Sequence, residues 1–107
     1  MSVREAIESR SLDDFADALT EDVVWIGLWP GEICRNRDDV LEMFARMRER
    51  EAEIRPRILL DKDGCLVVDP GLDGRHHVLV LRGDEVSEVR VYPDRQSALT
   101  AVEERPW

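Results

Sequence analysis

The spacing of apolar residues changes period along this chain. In the front part Leu12, Phe15, Ala16 and Leu19 recur at three- and four-residue intervals, as on a helix with one buried face. Two boxes, Ser2-x-x-Glu5 and Ser11-x-x-Asp14, each put a hydroxyl acceptor ahead of such a run and predict two helix starts. The first helix is expected to run to about Ser9, and the second to end at Thr20-Glu21-Asp22. Val23 to Trp29 then reads as a strand, rich in β-branched and aromatic residues, with Pro30-Gly31 turning it. Glu32 to Cys34 is a short return strand. Asn36 caps a third helix, Asp39 sits at its positive end, and Val40, Leu41, Phe44 and Met47 form its expected buried stripe.

From Ile54 onward the pattern is that of strands. Ile54 to Leu60 comes first, with Pro56 marking an edge position or a bulge. Cys65 to Asp69, Arg75 to Arg82 and Glu85 to Tyr92 follow, turned at Lys62-Asp63-Gly64, Pro70 to Gly74 and Gly83-Asp84. Gln96 to Val102 closes the chain as a short helix. Helices gathered against an antiparallel sheet make an α+β domain, and 107 residues suit a single one.

Charge narrows the range of partners. With 24 acidic residues against 15 Lys and Arg, the chain has a formal net charge of -9. Binding nucleic acid requires neutralising phosphates, so nucleic acid and anionic membrane surfaces are disfavoured. Cys34 and Cys65 fit neither a disulfide framework nor a metal cluster, and both read as reduced filler. No apolar run approaches the roughly 20 residues of a membrane span. Met1-Ser2-Val3-Arg4 does not start a signal peptide, so the cytoplasm is the expected compartment. Phosphate loops, serine elbows and Cys-x-x-Cys pairs are absent from the sequence, and neither a cofactor nor a metal is expected.

Three segments together resemble the nuclear-transport-factor-2-like superfamily, and within it the SnoaL-like and ketosteroid-isomerase-like small proteins. They are Leu12-Asp13-Asp14-Phe15 leading to Leu19-Thr20-Glu21-Asp22-Val23-Val24-Trp25, then Asn36-Arg37-Asp38-Asp39-Val40, then Glu85 to Tyr92 followed by Asp94-Arg95. The resemblance implies a cystatin-like cone, in which a strongly curved antiparallel sheet wraps around N-terminal helices and leaves a pocket between them. It also implies a homodimer through the convex sheet face. Relatives include isomerases, epoxide hydrolases, polyketide cyclases, dehydratases and proteins that catalyse nothing, so the fold alone selects no reaction. The isomerase's aspartate base falls at Gly27 and its tyrosine donor at Val3, neither of which can move a proton. The short first helix is expected to leave the pocket mouth open.

On that alignment Ser87, Val89 and Val91 face the pocket, while Glu88, Arg90 and Tyr92 face the convex side. A two-residue turn at Gly83-Asp84 sets His76 opposite Val91, inside, and turns His77 outward; a bulge would exchange the two. His76 is therefore the acid/base candidate, against the plainer reading of a space-filling histidine with one hydrogen bond. Trp25, Gly27 and Trp29 share a face of the first strand, and a glycine between two indoles leaves a recess for a flat apolar ligand, unless the indoles simply fill the core. Asp22, Glu32 and Asp69 are acids at strand ends, with solvated surface as the plainer reading. Arg55 and Arg57 read as salt-bridging residues or as an anion site.

Three functions fit. The first is a homodimeric pocket protein that binds a small apolar ligand through Trp25, Gly27, Trp29, His76, Val89 and Val91. The second is a cofactor-free cyclase, dehydratase or hydrolase with His76 as general base, helped by Asp22 or Glu32. The third is a non-catalytic association module with no usable cavity.

Overall fold

A computed structural model describes residues 2–28, 31–49, 55–71 and 74–104, with 47–49 by backbone alone. Helix α1 (Val3–Glu8) starts at the expected box: Ser2 Oγ accepts from the Glu5 amide, and the Glu5 carboxylate accepts from the Ser2 amide. Ser11 Oγ accepts from the Asp14 amide at the start of α2 (Leu12–Asp17). Strand β1 (Leu19–Ile26) follows at once. Residues 19–22, expected to close the helix, are strand instead, because Val86 draws the chain into the sheet. Its amide donates to the Ala18 carbonyl, and Leu19 pairs with it. A partner far along the chain outweighs local helical spacing.

Strand β2 (Ile33–Cys34) returns along β1, and Asn36 Oδ1 accepts from the Asp39 amide to cap α3 (Arg37–Glu49). On α3 Val40 and Phe44 are buried as expected, but Leu41 is 39% exposed and half-buried Met43 takes the place assigned to it. Met43 lies three residues from Val40 and adjoins Phe44, whereas Leu41 lies about 100° around the helix from Val40. The Met47 side chain and Trp29 lie outside the described residues.

Strands β3 (Arg57–Lys62), β4 (Cys65–Asp69), β5 (His76–Arg82) and β6 (Glu85–Tyr92) form a meander, followed by α4 (Arg95–Glu104). The six strands make one curved sheet in the order β2-β1-β6-β5-β4-β3. Every pairing is antiparallel except β1 with β6, which is parallel. Strand β3 lies at an edge and carries a bulge between Ile58 and Leu60, so Pro56 marked both features. Irregular register also occurs in β1 and between Val80 and Leu81 in the last hairpin, and such insertions sharpen strand twist and bend a sheet.

Each sheet face has its own core. The concave face carries Leu19, Val23, Trp25, Leu66, Val68, Leu79, Val86 and Val89, packed against Val3, Ala6 and Ile7 of α1, Ala16 of α2, and Val40 and Phe44 of α3. The convex face carries Cys65, Val67 and Val78, covered by Ala98 and Val102 of α4. Thus α4 occupies part of the face expected to meet a second copy. Cys34 and Cys65 are free thiols, half-buried and buried respectively.

Tyr92 packs on the convex side in contact with that second core. Burial pushes its hydroxyl above the ordinary value of 10.0. A raised pKa in the fold adds stability that is complete below pH 10 and is lost as pH rises through the folded value. Tyr92 is the one tyrosine in the chain, so absorbance at alkaline pH reads it alone. It should titrate above 10 when folded and near 10 in denaturant; equal midpoints would contradict this packing.

Candidate functional site

A cleft of about 80 Å³ lies between the helices and the concave face, open to solvent on one side. Its walls come from most of the inner elements: Ala6 and Ile7 of α1, Leu12 and Phe15 of α2, Trp25 of β1, Phe44 of α3, Val68 of β4, and His77 and Leu79 of β5. Pro56 and Pro70 close another part, while Arg10 and Ser11, between α1 and α2, sit at the rim. One wall is an aromatic chain. Phe15 meets Phe44 at 6.0 Å between ring centres, Phe44 meets Trp25 edge-on at 5.8 Å, and Trp25 meets His77 edge-on at 5.3 Å. Such edge-to-face pairs hold one another's orientation beyond the apolar area they bury.

The inward histidine is therefore His77, not His76, and one residue explains the exchange. At the turn Arg82 pairs with Glu85 and Leu81 with Val86, but Val80 pairs with Glu88 and His77 with Val91. Ser87 is the extra residue, its hydroxyl donating to the Val80 carbonyl at 3.2 Å rather than facing the cleft. Because side chains alternate, the one-residue slip sends His77 to the concave face and His76 to the convex one. There His76 pairs with Tyr92, is 9% exposed, and lies 2.8 Å through Nδ1 from the Gly74 carbonyl. It fills space and holds one hydrogen bond.

Val89 and Val91 face inward as expected, and Glu88, Arg90 and Tyr92 outward. Val89 pairs with Trp25 in the concave core, and neither it nor Val91, both expected as ligand contacts, is part of the cleft lining. Gly27 lies beyond the end of β1, away from the lining. Its amide donates to the Glu32 carbonyl at 2.7 Å, and Glu32 lies over it where the recess was expected. A side chain added there would sit 2.5 Å from Glu32 Cβ and 3.0 Å from the Glu32 carbonyl oxygen. Gly27→Ala should thus displace the β1–β2 turn at a cost of about 1–3 kcal/mol, readable as a lower urea midpoint. An unchanged midpoint would show that the turn yields freely.

The acids do not converge. Asp22 is exposed and pairs with Arg82 at 2.6 Å, a contact that holds its carboxyl below the usual carboxylate range. Glu32 is exposed, and Asp69 accepts from the Gly71 amide at 2.8 Å with Arg57 at 3.7 Å. That pair follows the salt-bridge reading of Arg57. Among the described residues no Asp or Glu lines the cleft, and no cluster of three or more His, Cys, Asp or Glu is placed to hold a metal. Val3, expected from the resemblance to stand where the isomerase has its tyrosine, is buried in the concave core. Of the cleft lining, sequence reading named Trp25 alone as a ligand contact and missed the rest, Arg10, Ser11, Pro56, Pro70 and the α1 residues included. The Ser9-Arg10-Ser11 spacer between two boxed helices was the available signal for the first two.

No protein-family model matches the chain, and no curated protein matches it in sequence. Solved structures do match. An NTF2-like protein of unknown function from Burkholderia xenovorans LB400 superposes with a TM-score of 0.64 at 15% identity, over 87% of this chain and 84% of that one. The fold is that of the NTF2-like proteins. A protein with a ketosteroid isomerase-like fold from Catenulispora acidiphila, solved with trimethylamine, gives 0.62 at 13% identity, over 92% and 89%. A candidate SnoaL-like polyketide cyclase from Mesorhizobium loti gives 0.57 at 11% identity, over 86% and 99%. Identities this low establish shared architecture and carry no reaction across. No described helix of this chain is long and apolar enough to cross a membrane.

Proposed function

We propose that this NTF2-like chain is a SnoaL-like pocket protein that binds a small, mostly apolar ligand in the cleft beneath α1–α3. The cleft itself carries the reading: an aromatic and aliphatic wall interrupted by few polar groups, as ligand sites generally are. About 80 Å³ holds several waters or a ligand of one ring, well short of a polycyclic substrate. Trp25 in the wall is a built-in reporter. Titration with single-ring and short branched compounds should perturb its indole signal, and Phe15→Ala should weaken that response. A set of such compounds leaving the signal unmoved would remove the ligand reading.

Catalysis is the second reading, and the position of His77 favours it over His76 as general base. His77 offers an imidazole ring at the cleft wall, within edge contact of Trp25. In that case His77→Ala removes turnover of a cleft-bound substrate while His76→Ala spares it; the reverse pattern would exclude His77.

A second copy is proposed to cover the convex strip beside α4. There Val24 and Ile26 of β1 stand next to Glu88 and Arg90 of β6, which form an ion pair at 3.2 Å. A two-fold axis brings each copy's Glu88 towards the other's Arg90, a self-complementary arrangement. Sedimentation should give a dimer mass at micromolar concentration that Ile26→Asp converts to monomer; a wild-type monomer would contradict it.

A further inference from the structure

We propose that Arg10 makes the cleft selective for ligands that carry a carboxylate on a short apolar body. This deepens the pocket reading and rests on it. Three observations converge on Arg10. It is exposed to solvent and contributes to the lining of a cleft whose walls are almost wholly apolar, so it is the cationic residue nearest to whatever enters. It also has no carboxylate partner among the described residues, although the chain has more acids than bases. Arg4, Arg37, Arg57, Arg82 and Arg90 each pair with one.

The third observation is the backbone. Arg10 follows the C-cap of α1 with φ 61°, a left-handed position that helices usually give to glycine. Among the described residues Asp63 is the other non-glycine with positive φ, and it stands in an Asp-Gly turn, where its short polar side chain tolerates that conformation. Arginine has no such local compensation. Backbone strain of this kind persists where a side chain is needed at a defined place. The spacer between α1 and α2 places Arg10 at the rim.

The chemistry then sets the ligand class. A guanidinium binds a carboxylate through two parallel N–H···O bonds, and beside an apolar wall that pairing is stronger than in open water. Ser11, the neighbouring rim residue, uses its oxygen to accept from the Asp14 amide and keeps its hydroxyl proton to donate. The ring or branched chain of the ligand lies against Phe15, Trp25 and Leu79. Since the whole chain carries a net charge of -9, any preference for an anion must arise locally at this rim.

The test compares three single-ring probes of one shape, phenylacetate, phenylacetamide and phenethylamine, followed by the Trp25 indole resonance in wild type, Arg10→Gly and Arg10→Gln. Phenylacetate should bind the wild type at least about tenfold more tightly than the amide, with the amine weakest, as a charge-assisted pair implies. Both variants should lose that order, and Arg10→Gly should also melt a few degrees higher, because glycine relieves the left-handed backbone. Stability rising as selectivity falls separates a ligand-facing arginine from a merely structural one. Equal affinities in the wild type would overturn the proposal and leave the pocket standing. Retained preference in Arg10→Gly would also overturn it. No response to any probe would overturn both this inference and the pocket reading beneath it.

Discussion

Trp25→Ala is expected to destabilise the fold by about 3–5 kcal/mol, a large share of the margin of a domain this size. Trp25 is 7% exposed, joins Phe44 and His77 through edge contacts, and pairs with Val89 across the parallel strands. Removing the indole enlarges the cleft, and its lining cannot collapse freely, because it belongs to α1, α2, α3 and three strands. Urea denaturation measures the loss. A cost below about 1 kcal/mol would show that the indole is peripheral and that the aromatic wall does not hold the helices to the sheet.

Ala98→Asp is the second large effect, on the opposite face of the sheet. Ala98 is 0% exposed, seated with Val102 on Cys65, Val67 and Val78. A carboxylate there would be buried without a partner, at about 3–5 kcal/mol unless α4 lifts away to solvate it. Either outcome lowers the melting temperature and strips hydrogen-exchange protection from residues 95–104 first. Gln96→Asp, exposed on the same helix, should do neither. Undiminished protection in Ala98→Asp would mean that α4 does not cover this face.

Much of the architecture was legible because its signals are local. Ser2, Ser11 and Asn36 satisfy helix amides within three residues, and the turns after Lys62 and Arg82 carry glycine at positive φ. Alternation in β6 correctly put Val89 and Val91 inside and Glu88, Arg90 and Tyr92 outside. The candidate site was harder to read, for a physical reason. Which histidine faces the cleft depends on one bulged residue, and Ser87 carries no mark that distinguishes it from an ordinary strand serine.

Non-local partners misled the reading elsewhere. Leu19 to Asp22 joined β1 because Val86 lies beside them in space. Gly27 between two indoles reads as a ligand recess in sequence, but Glu32, five residues on, lies over it. Tertiary packing also sends α4 to the convex face, which neither its length nor its few apolar residues foretold. Arg10 is not legible in sequence, because its meaning lies in a backbone angle and a neighbouring cleft.

The measurement that bears most directly on the account is a resonance titration with a single-ring carboxylate, following the Trp25 indole and both histidine rings at once. The bulge at Ser87 and the cleft together predict that Trp25 and His77 shift along one saturable curve while His76 stays still. Movement of His76 with a silent His77, or no saturable change at Trp25, would contradict it.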